Sequence, residues 1–283
     1  MSAFPVRSLD EALRALAADP ARVLIAGCTD LMVRPPEALH GMDRVIDLLA
    51  IEELRGIREI ECGLEIGATT PFSEIRRSPA IRAAFPALAD AAGRIGGVQI
   101  QNRATIGGNL ANASPAGDSL PVLLALDASV AIAGPAGRRE IPYSTFHTGY
   151  RKTALDKGEI LAAVRLPLPP AGTIQAFRKV GTREAQAISK VVVAMSGRVE
   201  EGRIAEIRLA AGSVAATPIR LRSAEEAIRR MPPGPEAAER AGRAAADAVE
   251  PIDDVRSTAD YRRFALERVV RRLVLGLEGT EER

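Results

Sequence analysis

The chain has 283 residues, and its 38 basic and 36 acidic side chains give a formal net charge of +2. Such a balanced charge disfavours nucleic acid and acidic membrane surfaces as partners, and an aromatic fraction of 3% without tryptophan disfavours a base-stacking platform. The length suits two or three compact lobes. Because no apolar run is long enough to cross a membrane and the first residues lack a signal-peptide pattern, we expect no membrane span and a cytoplasmic location.

The few cysteines and histidines exclude several kinds of catalytic site. The sequence contains two cysteines, Cys28 and Cys62, whereas an iron–sulfur cluster usually takes four thiolates, and their spacing does not fit a zinc site. Neither His40 nor His147 stands in a nucleophile–base motif, which disfavours a Ser-His-Asp hydrolase. We therefore expect any redox chemistry to come from a borrowed cofactor, with no catalytic side chain and no metal ligand in this chain.

The N-terminal part of the sequence predicts a small α/β unit. Residues 8–11, SLDE, form a capping box that begins a helix, and Asp19-Pro20 ends it. Residues 23–26 and 45–48 predict short strands, with a glycine turn at residues 26–30 after the first of them. Helix, strand, turn and strand in this space are typical of an α/β lobe.

The next part of the chain predicts strands and alanine-rich helices. The predicted strands are residues 64–68, 129–133 and 160–166, and the predicted helices are residues 72–75, 78–94 with an interruption at Pro86, and 121–126. Residues 142–152, PYSTFHTGYRK, predict an irregular segment in which His147 is a hydrogen-bonded loop residue. The proline cluster at residues 167–170 predicts a domain boundary.

Beyond that boundary the sequence predicts an α+β lobe. Alternating patterns at residues 174–180, 190–199 and 204–211 predict a three-stranded meander with a hairpin turn at residues 201–203. Residues 218–230, 235–249 and 260–277 predict helices, and the last has an apolar face that includes Phe264 and Leu266. Its basic residues between 261 and 272 predict a solvated face.

A long stretch of small residues, TIGGNLANASPAGDSLP at residues 105–121, stands out in the middle of the chain. Glycine pairs let backbone amides approach a ligand closely, and successive amides can form an anion-binding nest. The glycine pair alone is at least as typical of an ordinary turn as of a ligand site. The length of the stretch, however, favours a ligand-binding loop. Together with residues 26–30 it predicts a clasp around the two phosphates of a dinucleotide, although neither GxGxxG nor GxxxxGK[ST] is present.

These residues resemble a known family. The runs LIAGCTDLMV at residues 24–33 and ATIGGNLANASPAGDSLPVLLAL at residues 104–126 resemble the two FAD-binding signatures of the flavoprotein subunits of molybdenum hydroxylases. Supporting similarity occurs in order along the chain, at residues 146–153, 158–167, 177–191 and 217–228. The similarity therefore extends over nearly the whole sequence.

The resemblance implies an α+β fold. It implies a PCMH-type FAD-binding region at residues 1–170, made of two α/β lobes at about 1–55 and 56–170. It also implies a C-terminal domain at residues 171–283, which combines an antiparallel sheet with helices as in carbon monoxide dehydrogenase flavoproteins.

The resemblance also implies a set of FAD-binding residues. They are Val23, Leu24, Ile25, Ala26, Gly27, Cys28, Thr29, Asp30, Ala104, Thr105, Gly107, Gly108, Asn109, Ser114, Asp118, Leu161, Arg178 and Lys179. The first glycine turn would contact the pyrophosphate and adenosine side, and the second segment would hold the other face of the pyrophosphate. Ser114 and Asp118 would bond sugar or ribityl hydroxyls, Leu161 would pack near the cofactor, and either Arg178 or Lys179 would approach the isoalloxazine.

Three positions depart from the family pattern. Cys28 stands where many members have glycine, Gln101 stands where arginine is common, and Ile95 stands where some xanthine dehydrogenases have an aromatic residue. Some proteins with this fold attach FAD covalently through histidine or cysteine. Because neither glycine segment contains a histidine, we predict that FAD is bound non-covalently, and Cys28 is the one residue that keeps covalent attachment open.

The function implied by the resemblance is electron transfer. A large partner subunit would carry a molybdenum–pterin centre, a small partner subunit would carry [2Fe-2S] clusters, and electrons would leave FAD for NAD or another acceptor. The run TGYRKT favours a xanthine dehydrogenase-like member over a carbon monoxide dehydrogenase-like or another aromatic- or aldehyde-oxidising one. Two alternatives are a free-standing flavin oxidase, for which the sequence offers no clear base, and a scaffold that has lost its flavin.

Overall fold

The computed structural model describes residues 2–35, 37 and 44–278, so His40 lies outside the described residues. The strands are β1 Ser2–Phe4, β2 Val23–Ile25, β3 Arg44–Asp47, β4 Ile57–Ile60, β5 Gly63–Gly67, β6 Ser129–Gly134, β7 Gly137–Pro142, β8 His147–Gly149, β9 Lys152–Thr153, β10 Ile160–Pro167, β11 Ile174–Val180, β12 Val191–Glu200, β13 Arg203–Gly212 and β14 Ile219–Arg220. The α-helices are α1 Leu9–Ala18, α2 Phe72–Arg77, α3 Pro79–Ala84, α4 Pro86–Arg94, α5 Val98–Gln101, α6 Ile106–Asn112, α7 Ser119–Ala125, α8 Arg222–Ala227, α9 Pro235–Asp247 and α10 Ala259–Leu275. The predicted α+β fold class is confirmed.

The N-terminal unit is a parallel sheet with the strand order β1-β3-β2, and α1 packs beside it. The predicted helix cap is confirmed, because the Ser8 hydroxyl accepts a hydrogen bond from the Glu11 amide at 3.2 Å. Leu9 and Leu16 of α1 are buried with Ile46 of β3 in a small hydrophobic core. Because β2 is an edge strand, the turn that follows it is open to a ligand on one side.

The second unit is an antiparallel sheet with the order β4-β5-β10-β6-β7, covered by the helices from α2 to α7. Its core includes Phe72, Phe85, Leu88 and Val164, all fully buried. The edge strands β4 and β7 were not predicted, because IREI and GRREIP carry charged side chains on a mostly exposed backbone. Such sequences form strands only where a neighbouring strand is already in place to pair with them.

The C-terminal unit is an antiparallel sheet with the order β11-β12-β13-β14, packed against α8, α9 and α10. The predicted three-stranded meander is confirmed, and Glu201 and Gly202 both have positive φ in its hairpin turn. The prediction of a helix from residue 218 was wrong at its start, because β14 pairs with β13 there and α8 begins only at Arg222.

An arginine fork joins this unit to the second one. The Arg220 side chain in β14 lies 2.9 Å from Asp127 and 2.8 Å from Glu225, which places one carboxylate from each unit on the same guanidinium. Such a fork binds carboxylates in a fixed geometry, and the backbone of Arg220 is at the same time paired with Ala210 of β13.

The predicted apolar face of the last helix is buried at Leu266, Val270 and Leu273, but two other residues differ from the prediction. Phe264, which the periodicity placed on the apolar face, is 55% exposed, whereas Arg262 of the predicted solvated stripe is 4% exposed. The Arg262 guanidinium donates to the carbonyl oxygens of Lys190 and Ser213 at 2.8 Å each, and to Asp254 at 2.8 Å. These acceptors lie at the ends of strands and in a loop, so the periodicity of the helix sequence does not predict them.

We expect Arg262→Met to lower the free energy of unfolding by about 3 kcal/mol, because two buried carbonyls and one carboxylate lose their donor. Chemical denaturation measures this change. Arg268→Met, at an exposed position of the same helix, is the matched control and should change the free energy of unfolding by less than about 0.5 kcal/mol. Equal small effects of the two substitutions would contradict the role given to Arg262.

Part of the predicted irregular segment is a hairpin of β8 and β9, so that prediction was wrong for these residues. His147 is hydrogen-bonded as predicted, although it begins β8 and does not lie in a loop. Its Nε2 lies 2.9 Å from the Leu110 carbonyl oxygen in α6, and its Nδ1 lies 3.3 Å from the Tyr143 hydroxyl. Because a carbonyl only accepts, Nε2 carries the proton, and the neutral ring accepts from Tyr143. His147 therefore fixes the C-terminal end of α6.

Burial lowers the pKa of His147 below its ordinary value of 6.5. The unfolded chain then binds a proton at higher pH than the folded chain, so the free energy of unfolding should decrease as the pH falls below about 6.5. Urea denaturation between about pH 7.5 and about pH 5 measures this decrease. In His147→Gln the contribution of this ring should be missing, and an unchanged pH dependence would contradict the assignment.

Candidate functional site

The two glycine segments of the sequence lie against each other in the structure. A Cβ atom on Gly27 would lie 1.9 Å from the Arg103 carbonyl oxygen and 3.0 Å from the Ala104 Cα. Only glycine permits such an approach between two backbones. The first glycine turn (residues 26–30) and the second glycine segment (residues 104–109) therefore form adjacent walls of one site.

The first glycine turn offers unused backbone donors. Within the ranges that the structure describes, the amides of Gly27, Cys28, Thr29 and Asp30 donate no hydrogen bond to another residue. Gly27 is buried, Cys28 and Thr29 are half-buried, and Asp30 is exposed. Consecutive free amides beside open space are the feature that binds phosphate groups without a fixed positive charge.

Cys28 holds a left-handed backbone conformation in this turn, with φ at +60°. Glycine adopts this conformation most easily, which gives a physical reason why many family members have glycine at the position. The Cys28 thiol donates to the Ala26 carbonyl oxygen at 3.2 Å. Burial raises the pKa of the thiol, as does the neighbouring Asp47, so Cys28 is a protonated thiol at neutral pH.

The second glycine segment is helical, and the prediction of a continuous loop at residues 105–121 was wrong. Thr105 is the N-cap of α6, and its hydroxyl accepts from the Gly108 amide at 3.1 Å. The Gly107 amide donates to the Ala68 carbonyl oxygen at 2.8 Å, and the Ile106 amide donates to Thr70 at 3.1 Å. The amides that the sequence suggested for a phosphate are therefore already hydrogen-bonded inside the protein.

The two glycines of α6 serve different purposes. A Cβ on Gly107 would lie 2.6 Å from the Ala68 Cβ, so this glycine lets the helix pack onto the sheet. Gly108 is exposed, and a Cβ there would approach within 4 Å only the Thr105 hydroxyl, at 2.9 Å. The missing side chain of Gly108 thus leaves a smooth surface beside the first glycine turn.

The strand and loop residues of the predicted set are placed as follows. Val23, Leu24 and Ile25 form the edge strand β2 and are half-buried. The Ala104 carbonyl accepts from the Phe72 amide at 3.0 Å, which holds the second glycine segment on α2.

Other predicted site residues stabilise the surroundings of α6. The Asn109 side-chain oxygen accepts from the Ser119 hydroxyl at 2.7 Å, and the Ser114 hydroxyl accepts from the Ala116 amide at 3.4 Å. Leu161 is 5% exposed and belongs to the same hydrophobic core as Ile106. These residues shape the wall of the site. Among them, Ser114 is half-buried and has a hydroxyl group that can also bond a ligand.

Asp118 and Lys179 form a buried ion pair at the junction of the second and C-terminal units. The Lys179 Nζ lies 2.6 Å from the Asp118 Oδ2 and 3.0 Å from the Arg94 carbonyl oxygen, and both side chains are 8% exposed. The Ser189 hydroxyl donates to the Asp118 Oδ1. Burial raises the pKa of the Asp118 carboxyl, and Lys179 and Ser189 oppose this change.

The structure distinguishes the two neighbouring cations of β11. Gln175, Phe177 and Lys179 face the second unit, where Gln175 donates to the Ala84 carbonyl and Phe177 packs on the core. Arg178 points to the opposite face and is exposed. Lys179, and not Arg178, therefore lies at the junction.

Sequence reasoning missed two contacts around the site. Arg151, in the β8–β9 turn with φ at +52°, lies 2.8 Å from the Asn112 side-chain oxygen and 3.8 Å from Asp30, and so connects the first glycine turn to the end of α6. Ser189 lies within the family-like run at residues 177–191, and nothing in the sequence distinguishes it from its neighbours. In both cases the sequence shows a polar residue inside a run that resembles the family. The contact partner of that residue can be identified only from the fold.

The departure at Gln101 has a structural explanation. Its side chain is 3% exposed, donates to the Gly93 carbonyl at 3.0 Å and accepts from Arg76 at 3.2 Å. Gln101 thus stabilises the approach to the second glycine segment. Ile95 is half-buried against the core of the second unit.

Two family models match the chain. One is described as the FAD binding domain in molybdopterin dehydrogenase and matches residues 1–169. The other is described as the CO dehydrogenase flavoprotein C-terminal domain and matches residues 175–277.

Individual proteins are similar over nearly the full length. A putative xanthine dehydrogenase FAD-binding subunit from Escherichia coli is 34% identical over 274 residues, covering 94% of this chain and 92% of the relative. A nicotinate dehydrogenase FAD-subunit from Eubacterium barkeri is 31% identical over 280 residues, covering 97% and 95%. A chain of carbon monoxide dehydrogenase from Hydrogenophaga pseudoflava superposes with a TM-score of 0.92 at 32% identity, covering 96% of this chain and 95% of that one. The chain therefore belongs to the family of FAD-binding subunits of molybdenum hydroxylases.

Proposed function

We propose that this chain binds one FAD non-covalently between the first glycine turn and α6, and passes electrons from a partner's iron–sulfur clusters to an acceptor. The observation that carries the proposal is the set of four amides at residues 27–30, beside the exposed Gly108, which donate to no other residue that the structure describes. A pyrophosphate would receive hydrogen bonds from these amides. The close contact at Gly27 keeps the two walls at a fixed separation.

The remaining residues fit the rest of the cofactor. Thr29 and Ser114 offer hydroxyl groups at the half-buried edge of the site. Lys179 has three ammonium donors, and the described residues supply two acceptors, which leaves one N–H for a ligand. FAD supplies the redox chemistry when bound, and the cation favours negative charge on the reduced ring.

The protonated Cys28 supports non-covalent binding. A thiolate, and not a thiol, is the nucleophile in bond formation at sulfur. Since burial raises the pKa of Cys28, the thiol close to the first glycine turn is poorly suited to attack a flavin.

The complete reaction requires partners in this proposal. Two cysteines cannot hold a [2Fe-2S] cluster, so the clusters belong to a small subunit and the molybdenum–pterin centre to a large one. We assign the FAD-binding domain to residues 1–170 and the flavoprotein C-terminal domain to residues 171–283. We place the complex in the cytoplasm; the part of the chain that the structure describes has no helix with the length and apolarity needed to cross a membrane.

The substrate of the complex is not decided by this chain. Relatives named for xanthine, nicotinate and carbon monoxide have similar identities of 34%, 31% and 32%. The TGYRKT run favours a xanthine dehydrogenase-like complex, whose acceptor would be NAD or another molecule. A carbon monoxide dehydrogenase-like complex is the second candidate, which the structural similarity favours.

We expect the purified chain to take up FAD, to show a flavin absorption spectrum and to release the flavin on denaturation. With NADH and a dye acceptor, it should reduce the dye if NAD is the acceptor in the complex. A colourless chain that cannot be reconstituted with FAD would contradict the proposed function. A flavoprotein that oxidises small organic substrates without a partner would instead support a free-standing oxidase.

Gly108→Val should remove FAD from the purified protein, because a branched side chain would fill the surface that the pyrophosphate approaches. The fold should persist, since the position is exposed, and the midpoint of thermal unfolding should change by no more than about 4 °C. Ala17→Val adds the same branch at an exposed position of α1 and should retain FAD. Normal flavin content in Gly108→Val would exclude the role given to α6.

A further inference from the structure

A three-residue chain of hydrogen bonds lies at the junction of the second and C-terminal units. The Ser189 hydroxyl donates to one oxygen of the Asp118 carboxylate, and the Lys179 ammonium donates to the other oxygen at 2.6 Å. Ser189 is 1% exposed and Asp118 is 7% exposed. The three side chains come from three separate positions: the N-terminus of α7, β11, and the residue pair before β12.

The Asp118 carboxylate depends on both donors. A buried carboxylate without hydrogen bonds is costly, and Lys179 occupies only one of its oxygens. Ser189 satisfies the other oxygen and restricts rotation of the carboxylate about its Cβ–Cγ bond. The direction in which Asp118 presents its second oxygen is therefore set by Ser189.

The Lys179 ammonium depends in turn on Asp118. Its other acceptor is the Arg94 carbonyl at the end of α4, at 3.0 Å. The two acceptors fix two of the three N–H bonds, and this determines where the third one points. A lysine has a long flexible side chain, so without the carboxylate in this orientation the ammonium would sample several positions.

We propose that Ser189 is a positioning residue, which orients the Asp118 carboxylate and thereby fixes the Lys179 ammonium at the junction of the two units. Ser189 itself is buried, and its hydroxyl is hydrogen-bonded to Asp118. It acts through Asp118, and the residue it positions is the one that directs a donor and a positive charge towards the flavin. This inference rests on the proposed function for its effect on FAD, but the fixed position of Lys179 can be tested in the chain without FAD.

The first experiment measures the reactivity of the Lys179 amine in the FAD-free chain. An acylating reagent and mass spectrometry give the labelling rate of Lys179, with the exposed Lys152 and Lys157 as internal references. Ser189→Ala should increase the rate at Lys179 about tenfold, since the ammonium loses part of its restraint, and should leave the reference rates unchanged. Ser196→Ala, a buried serine in β12, is the matched control and should change none of them. An unchanged rate at Lys179 would overturn the proposal.

The second experiment measures the two-electron midpoint potential of the FAD-loaded chain. Ser189→Ala should weaken the binding of reduced relative to oxidised flavin about tenfold, which corresponds to a potential about 30 mV more negative. In a Lys179→Met background the same substitution should have no further effect, because Ser189 acts through Lys179. An equal shift in both backgrounds, or no shift in the parent chain, would overturn the proposal. Failure of the parent chain to bind FAD would instead overturn the proposed function and leave the labelling experiment to decide the role of Ser189.

Discussion

The contact between Gly27 and the Arg103 carbonyl is the constraint on which the candidate site depends. With the Cβ position of Gly27 only 1.9 Å from that oxygen, no other residue fits without moving one of the two backbones. The contact joins the parallel sheet of the N-terminal unit to the helical layer of the second unit. It also places the four unused amides of residues 27–30 beside the exposed surface of α6.

The two walls of the site have opposite hydrogen-bonding properties. On α6, the amides of Ile106, Gly107 and Gly108 are bonded to Thr70, Ala68 and Thr105, so this wall is rigid and already satisfied. On the first glycine turn, the amides of residues 27–30 have no acceptor among the described residues. This pair of walls suits a dinucleotide. The amides of the first glycine turn can donate hydrogen bonds to its phosphates, and the rigid, smooth surface of α6 can pack against it.

Two ion-pair contacts connect the second unit to the C-terminal unit. Lys179 and Asp118 are nearly buried and hold each other across two units, while Arg220 forms a second connection through Asp127 and Glu225. These contacts fix the C-terminal sheet relative to the second unit. A flavin ring at this junction would lie near the Lys179 ammonium, whose position is fixed by its buried contacts. A lysine on the protein surface would not be fixed in this way.

The sequence by itself determined the family, the α+β class, the two glycine segments and most central strands and helices, because these depend on local patterns of apolar residues, caps and glycines. It could not determine that residues 106–112 are helical, since the start of α6 is held by Ala68 and Thr70, which follow β5 and are distant in the sequence. The edge strands β4 and β7, the burial of Arg262 and the position of Lys179 at the junction were likewise decided by tertiary structure. Each depends on a contact with another part of the chain, and a local sequence pattern does not identify that contact.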